Sequence, residues 1–323
     1  MADKIKFAFL LAGGCAGCEM AMVDMSEKLL SALDHLEIVF WAPTVADVKY
    51  KDLEAMEDGS IDLAFIDGMI RSSEHEHITR ILRAKSKILV AFGACAALGG
   101  IPGMANQHTK KEIFNQSYFD TFSTDNPDKV VPQTTTRVDG KYELTLPEFY
   151  ENVLRIQDVA EVDYFVGGCP PHHDFIAKAV EAIIAGNLPP KGSWLTSGKA
   201  VCDVCKRNPA NKDMARTQVF ESKRIVDGEP DPDICLLQQG YLCLGPITQG
   251  DCGASCLNVN MPCRGCGGPI PGVKDYGARA ISAIGSILGS EEAAVQLMEK
   301  FPDLTKLVYR YSLPSSLLAS KEK

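Results

Sequence analysis

The chain has 323 residues, a formal net charge of −9 and 12 cysteines, with an isoelectric point near 5.3. That length allows one large domain or two, each with a real core, and the acidic balance argues against nucleic-acid binding, which needs a basic footprint. Neither a basic-then-apolar leader nor a twin-arginine signal opens the sequence, so the expected location is cytoplasmic.

In chain order, the apolar run at 5–11 predicts a first strand. A helix over 20–33 follows, with Met20, Met22, Met25, Leu29 and Leu33 as its apolar positions; the methionine stripe belongs to the core or to a subunit contact. Strands are predicted at 36–41 and 61–66, then a surface helix at 74–83 with His75 and His77 on its solvated face, then a strand at 88–92. A fifth strand is expected at Tyr164, Phe165 and Val166, and a helix over 174–184. Near-continuous apolar strands alternating with helical patterns predict an α/β fold, a flavodoxin-like doubly wound parallel sheet with helices on both faces.

Residues 88–105 run without a charge and are nominally long enough to span a bilayer. Gly93, Gly99, Gly100, Pro102 and Gly103 would strip such a helix of its internal hydrogen bonds in lipid. A buried strand entering a tight loop is expected instead, with no membrane span.

The first domain is expected at 1–190, interrupted by an insertion at about 106–161. The insertion holds a hairpin in TTTRVDGKYELTL, with Asp139-Gly140 at its turn, and a predicted helix over 148–154. Beyond Pro189 and Pro190 the periodicity fades, and eight cysteines fall within the 65 residues 202–266. Such a segment cannot offset its ordering entropy by apolar burial, so something other than a core must hold it. A helical pattern returns over 276–301, and the apolar LPSSLLAS near the end predicts an interface. Residues 191–323 are therefore expected to form an irregular iron–sulfur cluster domain with C-terminal helices.

Cytosolic thiols stay reduced, so twelve of them point to metal or redox chemistry rather than disulfides. Cys15 and Cys18 follow the first strand, Cys95 the fourth and Cys169 the fifth. All four therefore sit at carboxyl ends of strands, where an open parallel sheet binds its ligands. Four thiolates there make the usual ligand set of a [4Fe–4S] cluster. The loops GGCAGC, GACAALGG and GGCPP surround them with glycine and alanine, so backbone N–H groups can approach an anionic core. They lack the GK[ST] ending of a phosphate loop.

Cys202, Cys205, Cys235 and Cys243 make one plausible further quartet, and Cys252, Cys256, Cys263 and Cys266 another. Spacing leaves the division of these eight open. Structural zinc also uses four thiolates, but a zinc ribbon sets its two C-x2-C knuckles about 15–20 residues apart. Here 57 residues, four of them cysteine, separate Cys205 from Cys263.

CAGCE, GACAALGG and GGCPP, in that order and ahead of an eight-cysteine region, resemble the small subunits of [NiFe] hydrogenases. The resemblance covers nearly the whole chain. Within that family it is similar to the small (gamma) subunits of the cytoplasmic methanogen F-420-non-reducing, methyl-viologen-reducing type, which associates with heterodisulfide reductase. The resemblance implies an oxidoreductase subunit that moves electrons from H2 oxidation in a partner large subunit, where the nickel and iron sit. Three [4Fe–4S] clusters would carry them to a small iron–sulfur adaptor and heterodisulfide reductase. It implies that Cys15, Cys18, Cys95 and Cys169 hold the proximal cluster. Cys252, Cys256, Cys263 and Cys266 would hold the medial one, and Cys202, Cys205, Cys235 and Cys243 the distal one. Cys202 stands where many periplasmic relatives use histidine, and the fourth medial thiol departs from their three.

Glu19 replaces the family's serine and is expected to cap a helix start rather than move protons. Asp67 should face the crevice. His172 and His173 are expected to start a helix, with a hydrogen bond to the cluster as the other reading. Lys206 and Arg207 are either solvated loop charges or contacts for an acidic partner. Three rival functions predict different contents. A coenzyme F-420-reducing hydrogenase subunit would have a flavoprotein partner, a single-cluster quinone-oxidoreductase subunit would leave eight cysteines idle, and a scaffold without redox activity would hold zinc.

Overall fold

The computed structural model describes residues 4–42, 48–212 and 214–319. Six parallel strands form its central sheet: β1 (Ile5–Leu11), β2 (Leu36–Ala42), β3 (Ile61–Asp67), β4 (Ser86–Phe92), β5 (Tyr164–Val166) and β6 (Ser193–Trp194). Their spatial order is β6-β5-β4-β3-β1-β2, with every pairing parallel. The order 2-1-3-4-5 is the flavodoxin-like one, extended by a two-residue edge strand.

Alternation along β1 explains its burial on both sides. Phe7 and Phe9 join Trp41, Phe65, Phe92 and the helix His173–Ile184 on one face. Ala8 and Leu10 join Ile66, Ala91 and the helix Ser73–Lys85 on the other. The aromatic layer is tight, with Phe65 stacked on Phe92 at 4.9 Å between centroids. Both helices are amphipathic by spacing: Ile78 and Leu82 are buried on one, Phe175, Ile176, Ala179, Val180 and Ile183 on the other.

Register then sets the site. Leu11 pairs with Asp67, Ile66 with Ala91, and Phe92 with Val166. The loops after β1, β3, β4 and β5 therefore leave the sheet side by side.

Several expectations need correction. The helix over 20–33 is two short helices, Gly17–Val23 and Glu27–Leu33, because the chain turns at Ser26 with φ 54°. The helix over 148–154 is instead a strand, Phe149–Leu154, antiparallel to Ile70–Ser72. Asn106 fixes it, accepting from the Val153 amide at 2.7 Å and donating to the Val153 carbonyl at 2.9 Å, so a tertiary partner overrides a helical apolar spacing. His75 is half-buried rather than on a fully solvated face: its Nδ1 accepts from the Arg71 amide at 3.3 Å, and burial lowers its pKa. The tail pattern forms helices as expected, Tyr276–Gly285 and Glu291–Lys300.

The hairpin forms as expected, Thr135–Val138 against Tyr142–Thr145. Asp139 and Gly140 both have positive φ, as a two-residue hairpin turn requires. Residues 195–275 have little regular structure; in part of this stretch Val201, Leu236, Tyr241 and Leu257 pack around Cys205, Cys243 and Cys263. The LPSSLLAS patch is divided. Leu313 and Pro314 are buried, Pro314 against the bare Gly99 and Gly103, while Leu317 and Leu318 are exposed and the final serine lies outside the described residues. Among the described residues no helix is long and apolar enough to cross a membrane.

One buried charge ties the sheet edge together. Asp163, whose side chain is fully buried, meets Arg83 Nη1 at 2.6 Å, Lys191 Nζ at 2.5 Å and the Leu89 amide at 2.8 Å. Burial alone would raise its pKa, but the bonds from Lys191, Leu89 and Arg83 hold it below the usual value. Asp163→Ala is expected to cost about 3 kcal/mol at neutral pH, read as a lower thermal midpoint. Because the folded value is lowered, the difference from wild type is full above the ordinary carboxylate range and narrows as the pH falls through the lowered value.

Candidate metal centres

The four side-by-side loops bring the first four cysteines together. Burial raises the Cys18 thiol first, followed by the nearby charges of Asp67, Cys95, Cys169 and Cys15. Burial, Cys169 and Cys15 push Cys95 up to about 12, and burial and Cys15 raise Cys169. Residues 151 positions apart in sequence, Cys18 and Cys169, are thus electrostatic neighbours. Cys15 is exposed and the other three are partly buried, so this group opens to the surface on one side. Gly93 makes room: its φ is +89°, and a Cβ there would lie 2.5 Å from the Cys18 sulfur.

The remaining eight separate into two neighbourhoods. Burial raises Cys202, then the charges of Cys243, Cys235 and Cys205, and Cys243, pushed up to about 11 by burial, also feels Cys235 and Cys205. Cys266 is pushed up to about 12 by burial, Cys252 and Cys256, and Cys263 is raised by burial, Cys243 and Cys266. Two contacts join the neighbourhoods in a row. Cys169 and Cys266 interact across the first junction. At the second, the Cys263 amide donates to the Cys243 sulfur at 3.3 Å.

The sulfurs in each group are widely set. Among the described residues, only His172, His173 and Asp174 place ligand atoms all within 4.8 Å of one another. No three of the twelve thiols come that close. Tetrahedral zinc bonded to sulfur at about 2.3 Å needs sulfurs about 3.8 Å apart, so these cages suit a larger inorganic core.

Glu19 does not cap its helix. Ala16 holds the cap position, and the Glu19 carboxylate, buried, accepts from the Trp41 indole at 2.9 Å. The end of β2 delivers Trp41 to this spot, which the local sequence could not reveal. Asp67 does face the crevice: it is buried against Cys18, and burial and Glu19 push its carboxyl up to about 8. His172 caps the helix His173–Ile184, its Nδ1 accepting from the Asp174 amide at 3.3 Å.

Sequence reasoning missed the cations here. Arg264 is drawn toward Cys243 and Cys263, and Arg216 toward Cys202. Arg264 lies inside the CRGC knuckle and could have been flagged; Arg216 had no local signal.

Residues 15–183 match the family model described as NADH ubiquinone oxidoreductase, 20 Kd subunit. The chain is 63% identical to the iron-sulfur subunit of the F420-non-reducing hydrogenase of Archaeoglobus profundus, over 98% of each chain. It is 37% identical to its counterpart in the vhu F420-non-reducing hydrogenase of Methanocaldococcus jannaschii, over 99% of this chain and 98% of that one. This chain belongs to the family of F420-non-reducing hydrogenase iron-sulfur subunits. It is an iron–sulfur subunit of a hydrogenase, an oxidoreductase component that transfers electrons. The fold is shared with the [NiFeSe]-hydrogenase of Dm. baculatum, at a TM-score of 0.52 and 17% identity over 84% of this chain and 96% of that one.

Glu19→Ala leaves the buried Trp41 N–H without an acceptor and is expected to cost about 1–2 kcal/mol. Glu19→Gln keeps an oxygen in place and should cost much less. Thermal unfolding of the two variants side by side checks this.

Proposed function

We propose that this subunit conducts electrons from H2 oxidation in its large subunit through three [4Fe–4S] clusters to a small iron–sulfur adaptor and heterodisulfide reductase, in the cytoplasm. The ligands on this reading are Cys15, Cys18, Cys95 and Cys169 for the proximal cluster, and Cys252, Cys256, Cys263 and Cys266 for the medial one. Cys202, Cys205, Cys235 and Cys243 hold the distal one. Residues 1–190 form the domain that carries the first set and 191–323 the domain that carries the other two. The observation that supports this most is the contact pattern: three groups of four neighbouring thiols, joined in a row by Cys169 with Cys266 and Cys263 with Cys243.

When bound, each cluster supplies a one-electron site whose potential is set by charge, sulfur hydrogen bonds and exposure. The chain's own residues do the rest. Crowded, buried thiols resist ionisation, so a cationic iron core is what lets all four in a group be thiolates. Arg264, Arg216 and Arg207 offset negative charge around the medial and distal groups. The exposed Cys15 sits on the side where a large subunit would cover the proximal group. Beside Cys205, a cleft of about 660 Å³ is lined by Lys206, Arg207 and Lys212 against the one carboxylate of Asp233, a cationic balance that suits an acidic electron acceptor.

Anaerobically purified protein is expected to contain about twelve iron and twelve acid-labile sulfide per chain, four of each per cluster. About four of each would indicate the single-cluster quinone-oxidoreductase reading, and zinc alone the scaffold. Copurification of heterodisulfide reductase with an iron–sulfur adaptor supports the assigned acceptor, whereas a flavoprotein that reduces F-420 would replace it. Gly93→Ala drives a methyl group into Cys18 and is expected to remove about four irons. The EPR signals of the other two clusters should remain.

A further inference from the structure

We propose that Lys178 and His172 are positioning residues that seat the Cys252 loop of the medial group on the sheet domain and so set its spacing from the proximal group. The consequence for electron transfer rests on the three-cluster reading. Both residues belong to one element: His172 caps the helix His173–Ile184, and Lys178 lies within it. His172 stands three residues after Cys169, so a single rigid helix relates the Cys169 loop to whatever its side chains hold.

Lys178 holds the chain just ahead of Cys252. Its Nζ meets Asp251 Oδ1 at 3.0 Å, and the Ser197 amide donates to Asp251 Oδ2 at 3.1 Å. The Asp251 side chain is 1% exposed, and a buried carboxylate is costly once its charge partner leaves. The pair therefore differs from Lys28 and Asp174, 3.7 Å apart with both side chains about half exposed, where screening leaves little.

His172 holds the other side. Its Nδ1 accepts from the Asp174 amide, so its hydrogen is on Nε2, 3.2 Å from the Ser255 hydroxyl. That hydroxyl donates to the Cys252 carbonyl at 2.6 Å. Cys252 is thus gripped before and behind by one helix. It packs against the sheet core that includes Phe9 and Phe92, and also against the apolar cluster around Cys205, Cys243 and Cys263. A backbone bond crosses the same junction, from the Gly168 amide to the Cys266 carbonyl at 2.9 Å. Side chains that are not themselves thiol ligands therefore set how the first two groups face each other.

The test uses the hydrogenase complex purified anaerobically with its large subunit. In Lys178→Met the Gly168 amide is expected to exchange its hydrogen for deuterium about tenfold faster, for the loss of one hydrogen bond to a charged group. The EPR splitting from interaction of the reduced proximal and medial clusters should shrink, with the distal signal and the iron content unchanged. Lys178→Arg keeps the charge and the donor and should restore both readouts, and Lys28→Met should change neither. Wild-type exchange or wild-type splitting in Lys178→Met overturns the proposal, as does a change that Lys178→Arg fails to restore. If Lys178→Met loses iron, Ser255→Ala decides, because it removes the other grip without leaving a buried charge unpaired. Faster exchange at Gly168 in that variant supports the proposal, and unchanged exchange overturns it. Wild-type protein with fewer than about twelve irons fails the three-cluster reading; the exchange readout needs no iron count and judges the seating separately.

Discussion

Nine of the twelve thiols are raised above their ordinary value by burial and by the charge that neighbouring sulfurs would carry. Burial is the largest cause of every raised cysteine value, with neighbouring sulfurs adding to it. A protein gains nothing from such an arrangement as bare thiol packing, because the charged form is disfavoured twice over. Positive charge held between the sulfurs reverses both penalties. The glycine-rich loops, the close backbone contacts and the arginines around the two later cysteine groups fit that requirement.

The sheet answers the requirement at the first group. Parallel strands of matched register end at the same height, and their loops must share one edge. Burial of alternating phenylalanine and small residues on the two faces fixes that register, since a one-residue slip would exchange the faces. The irregular segment has no such device. Its cysteine loops are held by apolar residues packed around Cys205, Cys243 and Cys263 and by single backbone bonds between ligand loops. On the proposed three-cluster reading, inorganic cores would tie those loops together in place of periodic packing.

Much of this was legible in the residues. The strands at 5–11, 36–41, 61–66 and 88–92 are apolar runs with clear ends, and the structure has them within two residues or fewer. The hairpin announced itself through Asp139-Gly140. Failures came where a distant partner decides. Residues 149–154 carry a helical apolar spacing but meet the strand Ile70–Ser72 and the Asn106 side chain. Glu19 has the position of a helix-start acid but meets Trp41 from the end of β2. His75, surrounded in sequence by charge, is drawn against the Arg71 backbone.

Cysteine number, the glycine-rich setting of the first four, and the strand ends that carry them are local properties, and the sequence by itself determined them. It also determined the parallel α/β class, because strand and helix periods are written residue by residue. Which of the eight later cysteines neighbour one another was decided only by tertiary structure, as were the bond from the Cys263 amide to the Cys243 sulfur and the partners of Glu19 and Asp67. Those features depend on contacts between loops that have no period, made at backbone-to-backbone distance, and nothing in the spacing of a loop states which other loop will lie against it.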